Sequence, residues 1–317
     1  MKVVVTGGAG FIGSALVRAL LAEPQPARVL VLDDLSTGKA ANLEEVRVAI
    51  EFQQADIRDG AAVERLLEGA DTVYHLAAIP SVPRSIREPE RSHQVNIDGT
   101  FNVLLGAQRQ KVRRVIFAAS SSAYGDTPTL PKVETMLPRP KSPYAVQKLL
   151  GEYYARVFTE VYGLQTVALR YFNVFGPRQD PGSPYSGVIS KFLEAALDRQ
   201  APTIYGDGEQ SRDFTYVDNI VDLCLRAARA PQAPGNTYNG GIGRRITLNE
   251  TWRLVQKIAG VDIAPQYGPP REGDVRHSLA DLTAAGRDLG YRPLVDFEDG
   301  LRRTLEWFRT QQAAKRS

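Results

Sequence analysis

A doubly wound α/β fold, a parallel sheet between two helical layers with a smaller mixed α/β lobe attached, is what this sequence predicts. Three observations carry it. Short β-branched runs alternate with helical periods over residues 1–172, and the first run leads directly into a glycine turn. From residue 173 the alternation gives way to text rich in Gly, Pro and aromatic residues. Alternating strand and helix signals imply a parallel sheet, and a change of texture marks a second lobe. The boundaries read as 1–172 for the sheet domain, with residues 217–238 returning to it, and 173–317 for the other lobe.

Residues 2–6 are a β-branched run, Gly7-Gly8-Ala9-Gly10-Phe11-Ile12-Gly13 follows, and residues 14–21 have helical periodicity. Strand, glycine turn and helix in that order point backbone N–H groups at an anion, and the glycines let a pyrophosphate approach closely. The spacing is Gly-x-x-Gly-x-x-Gly, on Gly7, Gly10 and Gly13. A second strand, residues 28–32, ends at Asp33, with Asp34 behind it. A carboxylate there can accept both ribose hydroxyls of an adenosine and would repel a 2′-phosphate, so NAD is favoured over NADP.

Strands are expected next at 50–54, closing on Asp56-Ile57, and at 72–76, closing on Ala77-Ala78, whose small side chains leave room for a cofactor. Two more follow at 114–119 and 165–170. Helices are expected at 61–67, 96–110 and 144–162, and an amphipathic one at 301–317. His75 reads as a satisfied histidine inside its strand. No second His or Cys stands at metal-binding spacing, and no metal is expected.

The 317 residues, 43% hydrophobic, can bury a sizeable core. A net charge of +3 from 39 basic and 36 acidic residues contains no block of one sign, so neither nucleic acid nor an anionic membrane is suggested as a partner. The single cysteine, Cys224, excludes an intramolecular disulfide, fits a reducing compartment and reads as inert core. The uncharged run 3–17 could pass for a signal peptide, but Gly7, Gly8, Gly10 and Gly13 would break its helix. With no other span of about 18 apolar residues, a soluble cytoplasmic protein is expected.

Ser142-Pro143-Tyr144-Ala145-Val146-Gln147-Lys148 carries the chemistry. Ser142 can cap a helix and Pro143 suits its first position, so Tyr144 falls in the opening turn and Lys148 one turn later on the same face. A phenol with a reference pKa of about 10 is a poor base at neutral pH. Bringing it to about 7 needs roughly 4 kcal/mol of phenolate stabilisation, and a fixed ammonium can supply much of that. Upstream, the strand at 114–119 delivers Ser120-Ser121-Ser122, with Ser120 placed 24 residues before Tyr144.

With these residues together, the chain resembles the extended short-chain dehydrogenases/reductases, in particular the nucleotide-sugar 4-epimerases. The resemblance rests on residues 6–13, Asn96 with Gly99-Thr100, Ser120, Tyr144 with Lys148, and Arg170-Tyr171-Phe172-Asn173, in that order. It implies a Rossmann sheet of about seven strands, bound NAD and a Ser120-Tyr144-Lys148 catalytic set. The cofactor side would comprise Gly7, Gly10, Phe11, Ile12, Gly13, Asp33, Asp34, Asp56 and Ile57, then Ala77, Ala78, Asn96, Tyr144, Lys148 and Tyr171. A homodimer through a four-helix bundle, built from helices 96–110 and 144–162, is also implied.

In such enzymes Arg212 and Arg271 would grip the diphosphate of a UDP-sugar, Asp274 its ribose, and Ser81, Ser120, Asn173 and Ser278 the sugar. A planar guanidinium suits phosphate oxygens. Ser278 occupies a position where a bulky tyrosine would fill the space beside C2, so a serine leaves room for an N-acetyl group. Interconversion of UDP-glucose with UDP-galactose, and of the N-acetylated pair, through a 4-keto sugar is therefore the expected activity. The alternatives are a UDP-glucuronate 4-epimerase, another NAD-dependent sugar-nucleotide oxidoreductase, and an NAD-sensing scaffold that would be expected to have lost Tyr144 or Lys148. Dehydratases and decarboxylases of this kind carry an acid just after the catalytic Ser or Thr, where this chain has Ser121, Ser122 and Ala123.

Overall fold

The computed structural model describes residues 1–179, 187–270 and 275–316. β1 (Lys2–Thr6), β2 (Arg28–Asp33), β3 (Ile50–Gln54), β4 (Thr72–His75), β5 (Arg114–Ser120) and β6 (Gln165–Tyr171) form most of a central sheet. Four short strands, β7 (Val174–Phe175), β8 (Thr203–Tyr205), β9 (Ser211–Arg212) and β10 (Thr215–Tyr216), precede β11 (Thr237–Gly240), which completes the sheet. The order is β11-β6-β5-β4-β1-β2-β3 and every pairing is parallel.

Alternate residues of these strands feed opposite cores, as the two-residue period of a strand requires. Val3, Val5, Val29, Val31, Ile116 and Val167 pack on the face that carries α1 (Phe11–Leu21) and α8 (Val217–Arg229). Val4, Leu30, Leu32, Val73 and Val115 face the other way, towards α2 (Gly60–Leu66), α5 (Gly99–Arg109) and α6 (Pro143–Tyr162). The first core takes in Ala285 and Leu289 of α10 (Thr283–Leu289) and continues into α7 (Val188–Leu197), α9 (Leu248–Ala259) and α11 (Phe297–Arg316); the last three pack on one another, with Phe192 edge-on to Trp252 at 5.5 Å. Three two-stranded pairs lie outside the central sheet: β7 with β10, β9 with β12 (Ile246–Thr247), and β8 with β13 (Gln266–Gly268).

The helix expected at 96–110 begins earlier: α4 (Pro89–His93), separated from α3 (Val82–Arg87) by a break at Glu88, runs through a π turn, Gln94–Asp98, that holds Asn96, and on into α5 at Gly99. Both short helices start at or next to a proline, and neither is long enough to show an apolar period. α8 lies against α1, β5 and β6, and β11 pairs with β6, so residues 217–240 run alongside the central sheet. No helix among the described residues is long and apolar enough to cross a membrane.

Candidate active site

β1 lies between β4 and β2, so connections from neighbouring strands leave in opposite directions there and open a crevice at the C-terminal ends of β1 and β4. The glycines sit at that crevice. Gly7 has φ +70°, and a Cβ on it would stand 2.6 Å from the backbone nitrogen of Ala77, at the end of β4. A Cβ on Gly13 would come within 2.2 Å of the Gly7 carbonyl oxygen. The turn is thus folded onto itself, and its bare backbone leads into the N-terminus of α1, where Phe11 and Ile12 form the opening turn.

Asp33 closes β2 beside this turn and is buried. Its carboxylate accepts N–H bonds from Ala9 (2.9 Å) and Leu35 (2.9 Å), and burial raises its pKa while those two bonds lower it. A carboxylate can accept about four hydrogen bonds, so capacity for a vicinal diol is left. Asp34 turns instead to the Ser36 N–H, and Asp56 is held low by the Arg58 guanidinium that it pairs with. Ile57 is buried under α5, and Ala78 is half-buried beside Ala77. A folded glycine cradle, a helix N-terminus and a buried diol acceptor at one switch point fit a dinucleotide.

α6 is anchored at its start. The Ser142 hydroxyl accepts from the Ala145 N–H (3.2 Å), Pro143 occupies the first turn, and Ser85 of α3 accepts the Tyr144 N–H (3.1 Å). Asn96 is 2% exposed and uses its side chain on the Ile79 backbone and on Gln147 of α6. It therefore ties the loop after β4 to the tyrosine helix.

Ser120, at the end of β5, lies beside the Tyr144 phenol, whose pKa it lowers, and accepts from both the N–H and the hydroxyl of Ser122 (3.2 and 2.8 Å). With its acceptor sites engaged by Ser122, its own proton is left to donate to an oxygen beside the phenol. Burial raises the phenol pKa, and Ser120 works against that rise.

Lys148 is buried. Its ammonium donates to the Ala118 carbonyl (2.8 Å), lies 5.0 Å over the Phe117 ring and is brought down to about 8 by burial, with Glu152 acting in the opposite direction. The lysine thus leans on β5, and the phenol's pKa is set by burial and by Ser120 rather than by the pull that helical spacing suggested. His75 is neutral, brought down to about 3 by burial and by the nearby Lys148 charge, and is bonded to Thr6 and Thr100 (2.8 and 3.0 Å). Tyr171 points away from the crevice, its hydroxyl 3.0 Å from the Cys224 sulfur, so only its backbone is left on the cofactor side.

Past β6, Asn173 donates to the Ser278 hydroxyl (3.3 Å), and the Ser278 N–H reaches the Ser211 carbonyl next to Arg212. Ser81 caps α3 by accepting from the Arg84 N–H. Arg271 and Asp274 lie outside the described residues. Close by, a cavity of about 630 Å³ is lined by Tyr205, Asp207, Gln210, Tyr267, Pro270 and Arg276, among others. Arg212, Arg245 and Arg276 concentrate positive charge around His277, whose pKa is lowered by burial and then by those cations. The sequence assigns no role to Tyr205, Tyr267 and Arg276, and Ser85, Ser122 and Gln147 only stand in stretches whose roles fall to their neighbours. Arg276, two residues past Asp274, is the one that a motif could have indicated.

Residues 3–241 match the model of the NAD dependent epimerase/dehydratase family. The chain belongs to that family. It is 39% identical over 315 residues to a UDP-glucose 4-epimerase of Mycolicibacterium smegmatis, covering 98% of this chain and 99% of the relative. Among solved structures it is similar to the UDP-glucose 4-epimerase of Thermotoga maritima with UDP-glucose, at 40% identity and TM-score 0.93, over 98% and 100% of the two chains. It is equally similar in fold to the UDP-N-acetylglucosamine 4-epimerase of Methanobrevibacter ruminantium in complex with UDP-N-acetylmuramic acid, at 42% identity and TM-score 0.93, over 98% of each chain. The family also takes in a UDP-glucuronic acid 4-epimerase of Bacillus cereus solved with NAD (32% identity) and a dTDP-glucose 4,6-dehydratase of Streptomyces griseus (34%). The chain is an NAD-dependent sugar-nucleotide enzyme of the epimerase/dehydratase family, and the family alone does not fix its sugar.

Proposed function

We propose that this protein interconverts UDP-hexose 4-epimers, acting on the UDP-glucose/UDP-galactose pair and on its N-acetylated counterparts. The observation that carries the reading is the pairing of Ser120, at the end of β5, with the Tyr144 phenol, followed by Ser121, Ser122 and Ala123 in place of a carboxyl group. Dehydration or decarboxylation asks for a further acid/base group beside the sugar, whereas epimerisation needs only one proton acceptor used twice.

Bound NAD supplies reversible hydride acceptance for the hydrogen on sugar C4. Gly7, Gly10 and Gly13 with the N-terminus of α1 would hold its pyrophosphate, and Asp33 its adenosine ribose. Tyr144 as phenolate takes the proton of the 4-hydroxyl and later returns it. Ser120 donates a hydrogen bond that orients the same oxygen, and Lys148 keeps positive charge beneath the pair.

Inversion requires the 4-keto sugar to present its other face, so the anchor belongs on the nucleotide. The cavity beside Tyr205 and Tyr267 would take the nucleoside, and Arg212 the diphosphate, with Arg276 nearby and Arg271 and Asp274 as further contacts. Ser81, Asn173 and Ser278 would meet the sugar with small side chains. Val146, Tyr153, Val157 and Val161, 44–65% exposed, form one stripe on α6 next to Phe101 of α5. Two copies would cover these faces in a four-helix homodimer.

Tyr144→Phe tests the reading. It removes the proton acceptor and leaves the cradle intact, so turnover should fall by about 10²–10⁴-fold with NAD content unchanged. A variant that keeps more than about a hundredth of wild-type turnover would show that Tyr144 is not the base.

A further inference from the structure

Directly under the reactive pair lies a second set of charges that the chemistry above does not use. Glu152 follows Lys148 by one turn of α6, and both side chains are buried, each residue 4% exposed. Arg170 of β6 grips Glu152 in a two-pronged bond, Nε to Oε1 at 2.9 Å and Nη2 to Oε2 at 2.7 Å. Its guanidinium lies 4.5 Å over the Tyr124 ring, and Tyr124 in turn donates to Asn239 (2.7 Å). Arg170 pairs in register with Ala119, between the carbonyl that receives Lys148 and Ser120.

A buried ion pair rarely stabilises a fold more than apolar side chains of the same volume would. If the pair only fastened α6 to β6, nothing would require charge here. The cost is visible: Arg170 Nη1 is the single buried side-chain nitrogen or oxygen among the described residues without a hydrogen-bond partner.

The surroundings of Lys148 say what the charge is for. β4 contributes His75, which is neutral; β5 contributes the Phe117 ring and the Ala118 carbonyl; α6 contributes Glu152 one turn on, with Tyr144 one turn before Lys148 on the same helix. Beyond Glu152 stand Arg170, Tyr124 and the largely buried Glu134, whose carboxylate accepts the Asn239 N–H (2.8 Å) and faces Arg170. Among these, Glu152 is the carboxylate whose charge acts on Lys148.

We propose that Glu152 is a positioning residue, a buried counter-charge kept ionised by Arg170 that holds the Lys148 ammonium charged beneath Tyr144. The proposal rests on the Tyr144–Lys148 reading of the site and deepens it. Without the carboxylate, desolvation acts on Lys148 unopposed, and the ammonium gives up its proton at lower pH. The phenol then loses its cation over the alkaline part of the working range.

The test is ¹³Cε-lysine NMR of the whole protein, with the Lys148 signal assigned from its loss in Lys148→Met. In Glu152→Gln/Arg170→Met, where the pair becomes neutral and near-isosteric, Lys148 should lose about tenfold in proton affinity. The alkaline limb of UDP-hexose turnover should move down in pH with it. A folded double variant whose Lys148 titrates as in the wild type overturns the proposal and leaves a plain staple between α6 and β6. A second measurement needs no neutral variant. The wild-type Glu152 carboxyl signal, assigned with Glu152→Asp, should be that of a carboxylate between pH 6 and 9 (~3 pH units of the range in which such groups are read), and a protonated Glu152 would overturn the proposal equally. Wild-type protein inert towards every UDP-hexose would refute the epimerase reading while both titrations stayed readable, so the two failures are distinguishable.

Discussion

Gly13→Ala puts the cofactor cradle under the most direct strain. The added Cβ would lie 2.2 Å from the Gly7 carbonyl oxygen, 2.8 Å from Gly8 Cα and 2.9 Å from Gly7 C, all backbone atoms with no flexible side chain to yield. Ordinary contact would be regained only if the turn retreated by roughly 1 Å. Overpacking of this kind costs about 1–3 kcal/mol, and the better helix propensity of alanine in α1 offsets up to about 1 kcal/mol. The melting temperature should therefore fall by only a few degrees, at roughly 2–4 °C per kcal/mol for a chain of this class.

The larger effect belongs to NAD. Backbone N–H groups displaced by that much lose charge-assisted bonds worth about 1.5–3 kcal/mol each, or roughly 10–100-fold in affinity per bond. Nucleotide released by heating, counted per chain, is the assay, with differential scanning fluorimetry beside it. Gly286→Ala is the control, because it too lies within a helix, Thr283–Leu289, without a positive φ, yet its Cβ would meet only the Tyr291 carbonyl oxygen, at an ordinary 3.7 Å. A Gly13→Ala protein that retains its full NAD complement would refute the placement of the pyrophosphate on this turn.

Asp33→Ala should weaken NAD binding, and mass spectrometry of the released nucleotide should find NAD and no NADP in the wild type, since a buried carboxylate repels a 2′-phosphate. Lys148→Met removes a cation near the phenol, so the phenolate forms only at higher pH. The acid limb of turnover should move up, and any alkaline limb due to Lys148 itself, near pH 8, should vanish; an unchanged profile would make the lysine structural. Ser278→Tyr should abolish conversion of the N-acetylated pair and spare the UDP-glucose pair. Conversion of UDP-N-acetylglucosamine at the wild-type rate by that variant would show that Ser278 is not the gate.

What the sequence made legible was local. Residues 2–6, 28–32 and 50–54 are runs whose ends are marked by a glycine turn or an acid, and with the runs at 72–76, 114–119 and 165–170 they locate six of the sheet's strands. Tyr144 and Lys148 were readable because a cap, a proline and helical spacing fix their geometry within one element. The rest is tertiary. α3 and α4 are too short to carry a period, yet Ser85 of α3 holds the backbone of Tyr144. The cavity between Tyr205 and Tyr267 exists only because β8 pairs with β13. Lys148 bonds β5 because of how α6 packs on the sheet, and Tyr171 turns to Cys224 because α8 covers that face.

The central claim is that one chain carrying its own NAD inverts C4 of a UDP-hexose. Purified protein, with no nucleotide added, should be incubated separately with UDP-glucose, UDP-N-acetylglucosamine and UDP-glucuronate, and the sugar products followed by proton NMR. Appearance of UDP-galactose and UDP-N-acetylgalactosamine, each reaching the same equilibrium mixture from either side, is the predicted result. Accumulation of a 4-keto-6-deoxy sugar or a pentose, or turnover of the uronate alone, would contradict it.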